Sequence, residues 1–235
     1  MHRFDRTILG IISAALLPVA GCGTGEYMER MANRAAQLET AGEFESNLGA
    51  DLQSVTADVR LRLPAIFNAE SKAWQPNSQD ESGQTINLLR LQPTICTLPG
   101  LTTTFERFIA EGEKSFPHYC YFAAVTIPEN QKPEDFKAAI EAEIARSGAS
   151  GGKFSPVSIT GPTGAAQNWD LLSVTSLQRF AGAPPSGPEV SMEGRFDLYF
   201  RATGTHFVLI GWRAPTGATA ATFFANAKLA MGTVQ

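Results

Sequence analysis

The run Met192-Glu193-Gly194-Arg195-Phe196-Asp197-Leu198-Tyr199-Phe200-Arg201-Ala202-Thr203-Gly204-Thr205-His206-Phe207-Val208-Leu209-Ile210-Gly211-Trp212-Arg213 decides the fold. Two stretches rich in aromatic and β-branched residues flank a short turn holding Gly204, which predicts an antiparallel hairpin. Working back, residues 168–179 and 154–160 read as two further strands, and residues 119–127, closed by Pro128, as another. Between them Pro133-Glu134-Asp135 opens a helix: proline fits the first turn, acids suit its positive end, and Phe136, Ala139, Ile140 and Ile144 form the buried stripe. An alanine-rich helix over 216–231 follows the hairpin, with Phe223, Phe224, Ala227 and Met231 as packing residues. Helices at both ends of a strand run imply an α+β class with an antiparallel sheet.

Further towards the start, Val55, Ala57, Val59, Leu61 and Leu63 alternate with polar residues, so 55–63 reads as one half-buried strand stopped by Pro64. Residues 86–91 read as a short strand, and 102–110 as a helical turn carrying Phe105, Phe108 and Ile109. Residues 77–82 and 183–188 read as exposed loops. Tyr27, Met31, Ala35 and Leu38 fall at helical spacing over 26–38, for a helix that either binds a partner near a membrane or packs on the domain. Gly42 interrupts this helix, and Phe44, Leu48 and Leu52 suit a second short one.

The first residues carry a different message. Arg3 and Arg6 precede an apolar run over 8–20, then Val19-Ala20-Gly21-Cys22. That run is too short to span a bilayer, which takes about 20 residues, and the pattern is that of an export signal. It resembles the lipobox of bacterial lipoproteins. The resemblance implies cleavage before Cys22, a diacylglycerol thioether on its sulfur, and palmitate-type acylation as the sole membrane attachment. Two or three chains, at about 0.8 kcal/mol per buried methylene, hold a protein stably without a spanning helix. Residues 1–21 are then the signal peptide, 22–54 a lipid-proximal tether with a helix, and 55–235 a single α+β domain. Gly23 follows the lipid site, where Asp is the inner-membrane retention signal of many diderm bacteria, so the resemblance places the protein in the cell envelope, at the outer membrane if there is one.

Charge narrows the partners. The chain has 235 residues and a formal net charge of −4; removing Arg3, Arg6 and Asp5, a net of +1, leaves −5. A mildly acidic surface argues against nucleic acid, whose phosphates need clustered Lys and Arg. It argues equally against a polybasic grip on anionic lipid.

With Cys22 assigned to lipid, Cys96 and Cys120 remain; export favours a disulfide between them, the alternative being two free buried thiols that pack as small hydrophobes. Such a bridge would contribute about 3–4 kcal/mol in the chain-entropy model. Cys96, Cys120, His118 and His206 together would suit tetrahedral zinc, but an oxidising compartment favours the bridge, so no metal and no cofactor is expected. Neither HExxH nor GxSxG occurs, and Gly151-Gly152-Lys153 lacks the Ser or Thr of a phosphate loop. Asp170 and Asp197 are expected to face water, and Arg213 to find a surface or interstrand partner.

Residues 59–64, the helix after Pro133, and the hairpin 196–201/206–213 followed by a terminal helix resemble the PsbP and DcrB superfamily over about 55–232. That resemblance implies an α-β-α sandwich and a non-catalytic accessory role. The expectation is therefore a lipid-anchored interaction module, not an enzyme, presenting its loops to an envelope protein partner. The alternative is a carrier or sensor of a small apolar ligand, in a cavity lined by Phe108, Trp169, Phe196, Phe200 and Trp212.

Overall fold

The computed structural model describes residues 22–75, 78–79, 83, 85, 92–149, 152–182 and 187–235. The signal segment, the side chain of Cys22, the strand expected over 86–91 and most of both expected loops lie outside the described residues. The chain divides into two units, Met1–Glu43 and Phe44–Gln235. Helix α1 spans Cys22–Asn47, longer than its apolar spacing predicts. Gly42 costs about 1 kcal/mol against alanine in a helix interior, and here it does not break one.

Phe44–Gln235 is built on a seven-stranded sheet in the order β3-β4-β5-β9-β8-β7-β6. Its strands are β3 (Lys72–Trp74), β4 (Leu101–Glu111), β5 (Lys114–Thr126), β6 (Ser155–Thr160), β7 (Ala166–Phe180), β8 (Val190–Ala202) and β9 (His206–Pro215). Every pairing is antiparallel. The expected β8–β9 hairpin is present, with Phe196 opposite Arg213 and Ala202 opposite Phe207. The Thr203 hydroxyl closes its turn by accepting from the His206 amide at 2.9 Å.

Alternation along β8 sends Phe196, Leu198 and Phe200 to one face and Asp197 and Tyr199 to the other. Over the first face lies α2 (Pro133–Arg146), through Phe136, Ile140 and Ile144, together with Ile95, Cys96 and Leu98. The opposite face is covered by α3 (Ala220–Gly232) and by a separate two-stranded sheet, β1 (Leu48–Thr56) with β2 (Val59–Pro64). Because both faces are dressed, central β9 is buried from Phe207 to Pro215. The α+β class with an antiparallel sheet and flanking helices therefore stands.

Three expectations fail locally. The alternating run 55–63 is not one strand but the end of β1, a turn at Ala57-Asp58, and β2. Asp58 donates its amide to the Thr56 hydroxyl at 3.3 Å, and the alternation survives the turn because Val55 and Val59 re-enter the same core. Pairing of Leu48–Thr56 with Val59–Pro64 also rules out a second helix there and places those residues in the compact unit, which begins at Phe44 rather than at 55. Finally, 102–110 is strand β4, not a helical turn. Gly112 at φ 63° makes the tight β4–β5 turn between Glu111 and Lys114.

Candidate functional site

The five aromatics expected around one cavity do not meet. Phe196 and Phe200 belong to the core beneath α2, Trp169 and Trp212 to the core beneath α3, and the sheet separates the two sets. Phe108 is half-buried on β4. Consecutive positions of a strand point to opposite faces, so Trp212 cannot join Phe196 across β8–β9. Trp169 and Phe200 do share an edge cavity of about 440 Å³ with Pro156, Asn168 and Arg201.

The same geometry corrects the disulfide. Cys96 and Cys120 are free and buried, one in each core. Cys120 sits on β5 between Tyr119 and Tyr121, and Cys96 packs on the face those tyrosines share. The sheet thus lies between the sulfurs. Burial raises both thiol pKa values, that of Cys96 to about 12 with Glu143 adding to the rise. His118 shares a face with Cys120 but not with Cys96, and no group of three or more metal-ligating side chains gathers among the described residues.

Asp170 stays at the surface side, paired with Lys137 at 2.7 Å. Asp197 departs from expectation, being buried at 2% exposure. It accepts from the Ser173 hydroxyl at 2.5 Å and from both arms of Arg195 at 2.8 and 2.6 Å, a bidentate pair that meets its hydrogen-bonding need.

A concavity of about 830 Å³ lies where residues 92–97 meet the end of α2. Glu143, Arg146 and Ser147 line one side, Arg179 and Glu189 another, and Cys96 the interior. Residues 92–98 are irregular, so their backbone needs outside partners. The Gln92 side chain accepts from the Leu98 amide at 2.7 Å and donates to its carbonyl at 3.2 Å. Glu143 accepts from the amide and hydroxyl of Thr97 at 3.0 and 2.9 Å. This wall is tied to helix α2.

Below the opposite wall lies Arg213, at 3% exposure. It donates to Gln178 Oε1 at 2.8 Å, to the Tyr121 hydroxyl at 3.3 Å and to the carbonyl of Arg179. Its guanidinium stacks 4.2 Å from the Phe180 ring and 5.3 Å from that of Tyr119. Burial pushes the Tyr121 phenol up to about 12 and raises Tyr119 as well. The expected interstrand role of Arg213 holds, but in the core: it fixes the Arg179 backbone, whose side chain lines the groove.

A second polar cluster anchors α3. Thr219, its N-cap, donates its amide at 3.1 Å and its hydroxyl to Glu111 Oε1. Helix α3 has no acid in its own first turn, so Glu111 supplies the anion that helix N-termini favour. Hydrogen bonding from Thr219 lowers the Glu111 pKa. A side chain at Gly217 would strike the Glu111 carboxylate at 2.7 Å. His118 Nδ1 donates at 3.1 Å to the Phe116 carbonyl, an acceptor only, and Nε2 lies 3.3 Å from the Thr219 oxygen, whose proton goes to Glu111. Nδ1 therefore carries the proton. Burial lowers the His118 pKa.

Sequence reading missed the groove, because its walls come from residues 92–97, 143–147, 179 and 189, and only folding joins them. Gln178 and Glu143 gave no local signal; Glu111 gave one, an acid just before the turn glycine Gly112. No family model matches the chain, and no match emerges among curated proteins or solved structures.

Proposed function

We propose that this chain is a lipid-tethered, non-catalytic binding module of a bacterial cell envelope, held through Cys22 and engaging an envelope protein partner in the groove over Cys96. The tether reading rests on Val19-Ala20-Gly21-Cys22 after a short apolar run, and no described helix is long and apolar enough to cross a membrane. The observation that carries the binding reading is the groove itself. Two acids (Glu143, Glu189) and two bases (Arg146, Arg179) line it together with residues 92–97. Such a lining suits a polar peptide segment of mixed charge better than an apolar molecule. Its thiol, with a pKa near 12, is a poor nucleophile at neutral pH. A dressed antiparallel sheet is consistent with a PsbP-like sandwich and its accessory role.

A carrier of a small apolar ligand is the second reading, and it moves to another place. Pro64, Ile66, Ile109 and Phe223 line an apolar groove of about 280 Å³ beside the start of α3, large enough for a short acyl segment but below most drug-sized pockets.

The test is a photo-crosslinking amino acid at Thr94 in intact cells, with the same group at exposed Glu134 on α2 as control. A discrete protein adduct from position 94 alone supports the groove. Adducts absent from 94, or equal at both positions, refute it, and lipid co-purifying in native mass spectrometry favours the second reading.

A further inference from the structure

Helix α1 carries an apolar seam that no described residue of its own unit, Met1–Glu43, covers. Met28, Met31 and Leu38 are 67%, 52% and 61% exposed, and Ala35 between them is exposed too. Their spacing alternates three and four residues, which is the a/d repeat of a coiled coil: Met28 and Ala35 at a, Met31 and Leu38 at d. Tyr27, 62% exposed, flanks the seam at a g position. Glu26, Glu29, Arg30, Asn33 and Gln37 occupy the far side, where Arg30 is already paired with Glu26 at 2.9 Å.

The flanking charges select the partner. Arg34 falls at g and Glu39 at the following e, and among the described residues neither has an ion-pair partner within the chain. In a parallel two-stranded coiled coil, a g residue meets the e residue five positions later on the other helix. Two copies of α1 in parallel therefore set Arg34 of each against Glu39 of the other, on both sides of the seam. An antiparallel pair would instead set g against g and place arginine against arginine, which is repulsive.

We propose that α1 is a parallel self-association surface, joining two copies of this chain along Met28, Met31, Ala35 and Leu38. The orientation rests on the lipid tether proposed above, since two chains anchored at Cys22 in one membrane start their helices at the same level. The seam covers about two heptads, short for a free coiled coil, because isolated helices below about 12–15 residues are marginal in water. Confinement to a membrane raises the effective concentration of one copy for the other and offsets that weakness.

The test uses the full chain in the membranes of producing cells, with Met31→Cys at the seam and Asn33→Cys on the far side. Mild oxidation and a non-reducing gel read the dimer, while intact mass reads acylation of Cys22 in the same samples. The expected result is at least tenfold more dimer from position 31 than from 33. On the Met31→Cys background, Arg34→Glu should cut the yield at least fivefold, and Arg34→Glu with Glu39→Arg should restore it. Equal yields at 31 and 33, or no effect of the charge reversals, overturn the proposal. So does a position-31 thiol that forms no dimer and is shielded from a water-soluble maleimide, which would put the seam in lipid, or an adduct of another mass. Loss of dimer with Cys22 acylated removes the self-association alone; an unacylated Cys22 removes the tether.

Discussion

Replacing Arg213 with Met isolates the polar pillar under the groove. The guanidinium satisfies three acceptors, Gln178 Oε1, the Tyr121 hydroxyl and the Arg179 carbonyl, in a region where Gln178 is only 2% exposed. A buried acceptor left unpaired costs about 1–3 kcal/mol, so the three together cost about 3–9 kcal/mol. Loss of the stack on Phe180 and Tyr119 adds about 1–2 kcal/mol. Against this, a cation no longer has to be kept out of water, a relief of several kcal/mol. The net is a destabilisation of about 2–4 kcal/mol, a large share of the 5–15 kcal/mol of an ordinary domain. Arg213→Lys should lose nearly as much, because an ammonium cannot reproduce the planar fork. Urea unfolding followed by tryptophan fluorescence gives the free energy, and thermal melting should fall by about 2–4 °C per kcal/mol. Adding Tyr121→Phe to Arg213→Met removes one orphan acceptor, the hydroxyl that Arg213 bonds at 3.3 Å, and should recover part of the loss. A single variant within 1 kcal/mol of the parent, on the scale set by unpaired acceptors, or a double variant weaker than the single, would refute this reasoning.

Acid should unfold the protein in two recognisable stages. The folded His118 pKa is lowered by burial, so below about pH 6.5 the unfolded imidazole takes its proton first and stability falls with pH. Glu111 has a lowered folded pKa, so its contribution is present above about pH 4.3 and disappears as pH falls through the folded value. Urea midpoints measured from about pH 7.5 to about pH 2.5 should lose the upper slope in His118→Gln, and the lower slope should shrink in Glu111→Gln. Gly100, at φ 69°, would place a β-carbon 2.2 Å from the Ala124 carbonyl; Gly100→Ala should lower the urea midpoint by an amount equivalent to about 2 kcal/mol or more, as strained positive-φ sites do. Cys96 and Cys120 should resist a thiol reagent in the folded state and both react in denaturant without reductant, a result a native disulfide would forbid.

The sheet was legible because its strong elements are long and locally consistent. β8 and β9 carry aromatic and β-branched runs around a glycine turn, and α2 has proline, acids and a 3.6-residue stripe in agreement. β4 was not, since Thr102 to Ala110 fits either period and Gly112-Glu113 is a weak turn signal. The run 55–63 misled because a tight turn can preserve alternation while reversing direction. The face on which Cys96 packs depends on where an irregular segment crosses the sheet, which no periodicity encodes. Asp197 looked solvent-facing by alternation, and it does face away from Phe196, but that side is also covered. The groove was invisible for the same reason: its residues are scattered over four segments. The proposed lipid site at Cys22 rests on contiguous residues alone, Val19-Ala20-Gly21-Cys22 after an apolar run.

The tether is most directly tested by the intact mass of the protein purified from producing cells, beside a Cys22→Ser variant. The account predicts a parent chain that starts at Cys22 and carries the added mass of a diacylglyceryl group, with or without a further acyl chain, and a variant without that addition. A parent with residues 1–21 retained, or with an unmodified Cys22, would contradict it.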